Sequence, residues 1–158
     1  MDAQESSQET PIVTESASEK FLIFAVRDKQ YALPSNIISE VALLEKIFPL
    51  PLVPAYVRGI INRYSVPYAL IDLGFFLLND ASNAKKVIVF KEEVDKLAFL
   101  IDDVTDIAVL PADKLMKTEQ EENAISGSVN AFFEWKESQV FCLDTEELIS
   151  RIKQDFSE

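Results

Sequence analysis

The sequence predicts an all-β protein, a small barrel or sandwich. Three observations carry that prediction. Short apolar runs recur along the chain, about nine or ten of them, each bounded by a polar turn or a proline. No two runs are bridged by a long amphipathic helix, as a parallel α/β sheet requires. One clear helical pattern is present, and it closes the chain.

The elements follow in order. Residues 1–19 hold mostly Ser, Glu, Gln, Thr and Ala, with Asp2, Glu5, Glu9, Glu15 and Glu19. Such a segment buries too little apolar surface to offset its ordering entropy, so it is expected to be a disordered acidic tail ahead of a folded unit over 20–156. Structure is expected from FLIFAVRDKQYALP at residue 21. Phe21 to Val26 is apolar on both alternating faces, which fits a strand buried on both sides. Arg27 to Gln30 reads as a turn and Tyr31 to Leu33 as the return strand, stopped by Pro34. Ser35 is expected to cap a short helical turn over Asn36–Ser39, before an extended stretch from Glu40 to Leu44. The prolines of PLPLVP exclude regular structure there, and Val53–Val57 reads as another short helical turn.

Strands are then expected at Gly59–Ile61 and Val66–Ile71, around the quartet Asn62-Arg63-Tyr64-Ser65. Leu73–Leu78 reads as a short helix. The second half repeats the theme, with strands at Lys86–Lys91, Lys96–Ile101, Val104–Leu110, Ile125–Glu134 and Gln139–Leu143, and a polar loop over 112–124. Asp144 with Glu147 three positions on makes a capping pair for the final helix, whose apolar stripe is Leu148, Ile149 and Ile152.

The chain has 158 residues, enough for one domain or two very small units sharing a core. Its formal net charge of −12 opposes attraction to nucleic acid or anionic lipid. No apolar run is long enough to cross a bilayer, and the N-terminus lacks the basic and apolar regions of a secretory signal. The expected location is the cytoplasm, without membrane insertion.

Catalytic equipment is sparse. There is no histidine and one cysteine, Cys142, so histidine-based nucleophile pairs and four-cysteine zinc sites are out of reach. Cys142 sits in an apolar strand, where a buried thiol is the expected state. Three glycines cannot form a phosphate loop. Asp102-Asp103 and Glu92-Glu93 are adjacent pairs, and adjacent strand residues point to opposite faces. Asp102, Asp103 and Asp106 lack the glycine and terminal glutamate of a calcium loop. No cofactor and no metal are expected. A carboxylate-dependent hydrolase is the alternative, and it needs carboxylates that converge. Trp135, beside a polar turn, reads as partial packing at a barrel end.

Several segments, in order, are similar to one family: FLIFAVRDKQYALP, IISEV, LPLVPAYVRGIIN, Ile71-Asp72-Leu73, KVIVF, LAFLIDDVTDI, ISG and LDTEELI. Together the chain resembles the CheW-like adaptor domains of bacterial chemotaxis from about Phe21 to Ile152. The most specific part is PxxPxYVxGxIN, followed ten residues after Asn62 by Asp72. The resemblance implies two intertwined SH3-like five-stranded β barrels around a shared seam, with short helices and a C-terminal helix. It implies a non-catalytic adaptor between a chemoreceptor's cytoplasmic helical hairpin and the regulatory domain of the histidine kinase CheA. Weak self-association through the paired barrels is also expected. Matching positions place Ile38, Glu40, Val87, Val104 and Ile107 near a receptor-facing groove, with Glu40 exposed and open to a partner.

The quartet departs from that pattern. Family members typically read N-L-R-G there, with a proline four residues past the glycine. This chain keeps Asn62, moves the arginine to Arg63, places Tyr64 where the arginine belongs and Ser65 where the glycine belongs, and brings Pro67 two places early. Asn62, Arg63 and Tyr64 are therefore candidate partner-binding residues with altered chemistry. A CheW-like module serving a different kinase or motility system is the second reading.

Overall fold

A computed structural model describes residues 18–81, 83–117 and 128–157. Strands β1 (Ser18–Val26) and β2 (Lys29–Pro34) form a hairpin, and a 3-10 turn at Ser35–Ile37 leads into β3 (Ile38–Leu43). A second hairpin, β4 (Val57–Arg63) and β5 (Val66–Asp72), runs into helix α1 (Leu73–Leu78). Then come β6 (Lys86–Phe90), β7 (Leu97–Ile101), β8 (Asp103–Pro111), a 3-10 turn at Ala112–Lys114 and β9 (Met116–Lys117). A third hairpin, β10 (Val129–Trp135) and β11 (Ser138–Leu143), precedes helix α2 (Thr145–Ser157).

The strands make two sheets. One is six-stranded in the order β8-β1-β2-β11-β10-β9, the other five-stranded in the order β3-β6-β7-β5-β4. The chain starts in the first, crosses to the second through Ser35–Ile37 and returns between β7 and β8. The middle of the chain is thus inserted between the two ends, which gives the expected intertwined pair. The six-stranded sheet exceeds the expected five only by the two-residue β9.

Alternation explains why β1 is apolar on both faces. Phe21 and Ile23 pack inside their own sheet with Phe133 and Val140, while Leu22, Phe24 and Val26 enter a shared seam with Ile88, Phe90 and Ile101. Strand β6 does the same for the other half: Val87 and Val89 face Leu70 and Leu100, and Ile88 and Phe90 face the seam. A fully buried Ile or Phe contributes about 1.5–3 kcal/mol, so each strand contributes to two cores. Leu148 and Ile152 of α2 are fully buried in the same seam.

Each half is drawn together by side chains and short pairings, not by a continuous ladder. In the five-stranded half, Phe48 and Ile60 exchange two backbone hydrogen bonds of 2.8 Å, joining the segment after β3 to β4. Gly59 beside them has φ 139°, and a Cβ there would lie 2.4 Å from the Phe48 carbonyl oxygen. In the six-stranded half, Met116 of β9 pairs with Phe132 of β10. There the indole N–H of Trp135 donates to Asp106 of β8 at 2.8 Å, and Lys136 approaches the same carboxylate at 2.9 Å.

Some boundaries differ from expectation. β1 begins at Ser18, so Ser18 and Glu19 belong to the sheet and not to the tail; they pair with Pro111 and Leu110. Ser35 is the first residue of its 3-10 turn and makes no side-chain cap, because Ile38 already turns into β3. The turn near Val57 is one hydrogen bond, from Val57 N–H to the Pro54 carbonyl, and β4 starts at Val57. The polar stretch after Pro111 holds a 3-10 turn and β9 before the described residues stop at 117. Residues 1–17 and 118–127 lie outside the described residues, which covers most of the expected tail and the start of the expected strand at 125. That strand is described from Val129. Asp144 does cap α2, accepting from the Glu147 N–H at 3.2 Å. Asp72 caps α1 in the same way, accepting from Phe75 at 3.2 Å.

Two outcomes follow. Gly59→Ala forces a Cβ into the Phe48–Ile60 junction and strains the backbone, so chemical denaturation should show a loss of at least about 2 kcal/mol; an unchanged midpoint would contradict this closure. The second concerns Asp106, whose carboxyl is held down to about 2 by the Trp135 N–H, Lys136 and the Ile107 N–H. A depressed carboxyl contributes stability above its unfolded pKa of about 4, and loses it as pH falls toward 2. Trp135 is the only tryptophan. Its emission should titrate with a midpoint near pH 2, before loss of far-UV circular dichroism, and Asp106→Asn should abolish that step. A wild-type midpoint at about 4 would show the contact absent.

Candidate partner-binding surface

Two β-bulges set the surface. Between β3 and β6 the register shifts after Ile38, so Ile38 lies opposite Phe90 and Val41 opposite Ile88, with Ser39 unpaired. Between β1 and β8 it shifts again: Val104 lies opposite Phe24 and Ile107 opposite Leu22, with Thr105 unpaired. Thr105 Oγ1 sits 3.2 Å from the Ile23 carbonyl oxygen and 3.0 Å from Gln30 Oε1, which fixes the bulge. Directly opposed residues share a sheet face. Each bulge therefore puts two apolar residues three positions apart on the seam side, which a regular strand cannot do.

The result is an apolar strip flanking the seam on both halves. Ile38 and Val104 pack partly against the seam core. Farther along, Val41, Leu43, Ile107 and Val109 are 40%, 65%, 54% and 60% exposed. Charged residues would be the default for outward positions on edge strands; here they are aliphatic.

The bulges also turn one acid per half inward. Glu40 lies opposite Val89, on the face that lines the five-stranded half. It accepts two hydrogen bonds from Arg63, Nε to Oε2 and a terminal nitrogen to Oε1, both at 3.0 Å. The two side chains are 24% and 22% exposed. Hydrogen bonding to Glu40 raises the Arg63 pKa further. Glu40 is thus not the open acceptor that the sequence suggested; the bulge at Ser39 aims it at β4, and Arg63 occupies it. Asp106 is its counterpart in the other half, taken up by Trp135 and Lys136.

Arg63 ends β4, and the turn is narrower than the quartet. Only Tyr64 and Ser65 form it, at φ 53° and 68°. Two successive left-handed residues make the hairpin turn that matches strand twist, and glycine or asparagine suits it best. Lys136-Glu137 repeats it at φ 51° and 68°. Tyr64 stands at the apex, 81% exposed, with the Arg63 guanidinium 5.4 Å from its ring. Asn62 is exposed opposite Pro67. Val87, paired with Ala42, is 1% exposed and belongs to the core. With Leu43, Lys46 and Phe48, the residues Asn62, Arg63 and Val87 line a concavity of about 230 Å³.

The eight sequence candidates therefore separate. Ile38, Val104 and Ile107 share the seam strip; Glu40, Asn62, Arg63 and Val87 gather at one end of the five-stranded half; Tyr64 tips its hairpin. Sequence reasoning missed Val41, Leu43 and Val109. The signal was present: ISEVALL from Ile38 matches VTDIAVL from Val104 letter class by letter class.

Among the described residues the acids of 102–106 go to separate partners. Asp102 bonds Arg27, Asp103 bonds Lys86 and Asp106 bonds Trp135. Among the described residues no group of three metal-ligating side chains forms. Cys142 is buried and its thiol is pushed up to about 12 by desolvation. The features this geometry brings together are an apolar strip and a polar hairpin tip.

The comparisons with known proteins agree. A sequence profile of the CheW-like domain matches residues 20–153. The scaffolding protein TtCheW from Thermoanaerobacter tengcongensis has the same fold, with a TM-score of 0.73 and 16% identity, over 80% of this chain and 84% of that one. This chain therefore belongs to the CheW-like domain family, a scaffold and adaptor family of chemotaxis signalling.

Proposed function

We propose that this protein is a non-catalytic adaptor that couples the cytoplasmic helical hairpin of a chemoreceptor to the regulatory domain of the histidine kinase CheA. The observation that carries this reading is the aliphatic strip along the seam. A helix with apolar residues at i, i+3 and i+4 can lay that face on such a strip. Val41 and Ile107 are its most useful anchors, since each is accessible and each continues a buried neighbour, Ile88 or Leu22. The kinase domain would take other apolar ground on the two halves. The adaptor would work in the cytoplasm beside membrane-held receptor arrays; among the described residues no helix is long and apolar enough to cross a membrane.

A second reading is favoured by Tyr64. The hairpin tip presents a phenol where the family typically has a cation, and Arg63 is already committed to Glu40. Such a tip suits a receptor, or another kinase system, that supplies no matching acid.

Capture of a receptor hairpin and of a CheA regulatory domain tests both readings. Wild type should bind at about 50 μM or below. Val41→Asp and Ile107→Asp should each weaken hairpin capture at least about tenfold with an unchanged melting temperature. Tyr64→Arg should strengthen capture if the tip has been retuned. Binding of neither partner by wild type, or full binding by both aspartate variants, would remove the adaptor reading.

A further inference from the structure

We propose that this protein's own N-terminal segment folds back on it, with Pro11-Ile12-Val13 docked in an apolar concavity on the six-stranded half. β8 and β9 are the two edge strands of that half. The Trp135–Asp106 bond draws the edges together at one point, and beside Trp135 a concavity of about 490 Å³ remains. Val109 and Pro111 of β8, Met116 of β9 and Trp135 of β10 supply its apolar wall. Val109 is 60% exposed and Met116 49%. The volume falls in the range of pockets that hold several apolar groups. An apolar sheet edge left open invites pairing with another chain, and covering it with a further segment removes that hazard.

The start of the chain arrives at this place. Ser18, the first described residue, pairs with Pro111 of the wall, one strand spacing of about 5 Å away. Seventeen residues precede it, and among them Pro11-Ile12-Val13 is the only apolar run. Val13 stands five positions before Ser18, a reach of up to about 17 Å, so the run can turn back onto the wall. Pro11 restricts its own backbone and that of Thr10, which lowers the cost of docking. The segment as a whole buries too little to fold alone. A three-residue run laid on ground already formed has only its own ordering to offset.

Charge favours the same occupant. The chain holds 15 bases against 27 acids, yet two lysines bracket Val109. Lys20 lies directly opposite it on the same face, and Lys114 is part of the lining. Both are exposed. Glu9 and Glu15 bracket the apolar run in turn, each two positions from its nearer end. Glu134 is the one acid of the lining. Exposed pairs of this kind set register more than strength, so the apolar contact holds the segment and the lysines orient it.

Backbone relaxation by NMR and acrylamide quenching of Trp135, both on the full chain, form the test. Wild type should show order parameters above about 0.6 at Ile12 and Val13. Ile12→Asp alters no residue of the described fold. It should bring both values below about 0.6, shift the emission of Trp135 to longer wavelength and increase its quenching. Met116→Glu, with folding checked by circular dichroism, should release Ile12 and Val13 from the other side of the contact. Wild-type values below about 0.6 at both residues, or Trp135 quenching unchanged in Ile12→Asp, would overturn the proposal. So would a Met116→Glu protein with Ile12 as ordered as in wild type, since the run would then be held elsewhere. Order at Ile12 that falls on dilution would put a second copy's segment in the concavity and overturn it as well.

Discussion

Burial of β1 and β6 on both faces is the constraint from which the rest of the structure follows. Each strand must satisfy its own sheet with alternate residues and the opposing half with the others. Phe21 and Ile23 serve one core while Leu22, Phe24 and Val26 serve the seam; Val87 and Val89 serve another while Ile88 and Phe90 return to the seam. Neither half can shed its partner without exposing several large side chains, at about 1.5–3 kcal/mol each. The chain path reinforces this, since the five-stranded half is spliced between the two ends of the six-stranded one. Helix α2 adds a clasp: it follows β11 of one half, yet Asp155 accepts from the Tyr56 hydroxyl at 2.6 Å and Lys153 reaches Asp95 at 3.0 Å in the other. Arg27, in the β1–β2 turn, adds a second tie by bonding Asp80 and Ala81 just past α1.

The halves solve the same problems with related residues. β4 and β10 share one burial pattern, both hairpins turn on two left-handed residues, and both following helices are capped by an aspartate, Asp72 or Asp144. Ser39 and Thr105 bulge, and each bulge sends an acid inward and aliphatic residues to the seam edge. Where the halves differ, chemistry differs. One acid is met by a guanidinium in a two-bond geometry, the other by an indole and an ammonium. The two halves are consequently alike in backbone and unlike in side-chain chemistry.

Much of this was legible in the sequence, and the misses have physical causes. Period-two alternation located nearly every strand, and apolar runs on both faces of Phe21–Val26 announced two-sided burial. The Asp144–Glu147 spacing gave α2. The parallel pairings β2–β11 and β5–β7 were not readable, because they join residues far apart in the chain. Nor were the bulges readable from either stretch alone: the match of ISEVALL to VTDIAVL marks the two as equivalent, but an unpaired Ser39 or Thr105 leaves no mark in composition, yet each reverses the facing of everything after it. That is why Glu40 looked open and is bonded to Arg63, and why Val41 escaped notice while Ile38 did not. The resemblance put Val87 near the groove, while a β-branched residue in a strand reads first as core; opposite Ala42, it packs with Leu70 and Leu100 inside its own half.

Residue-resolved hydrogen exchange on Ile88→Ala under native conditions tests the shared seam most directly. Ile88 belongs to β6 of the five-stranded half, but its side chain lies in the seam. If the halves stand or fall together, the slowest amides of β1 and β2 should lose protection by the same factor as those of β6 and β7. Loss confined to the five-stranded sheet, with β1 and β2 as protected as in wild type, would show two independent halves and contradict the account.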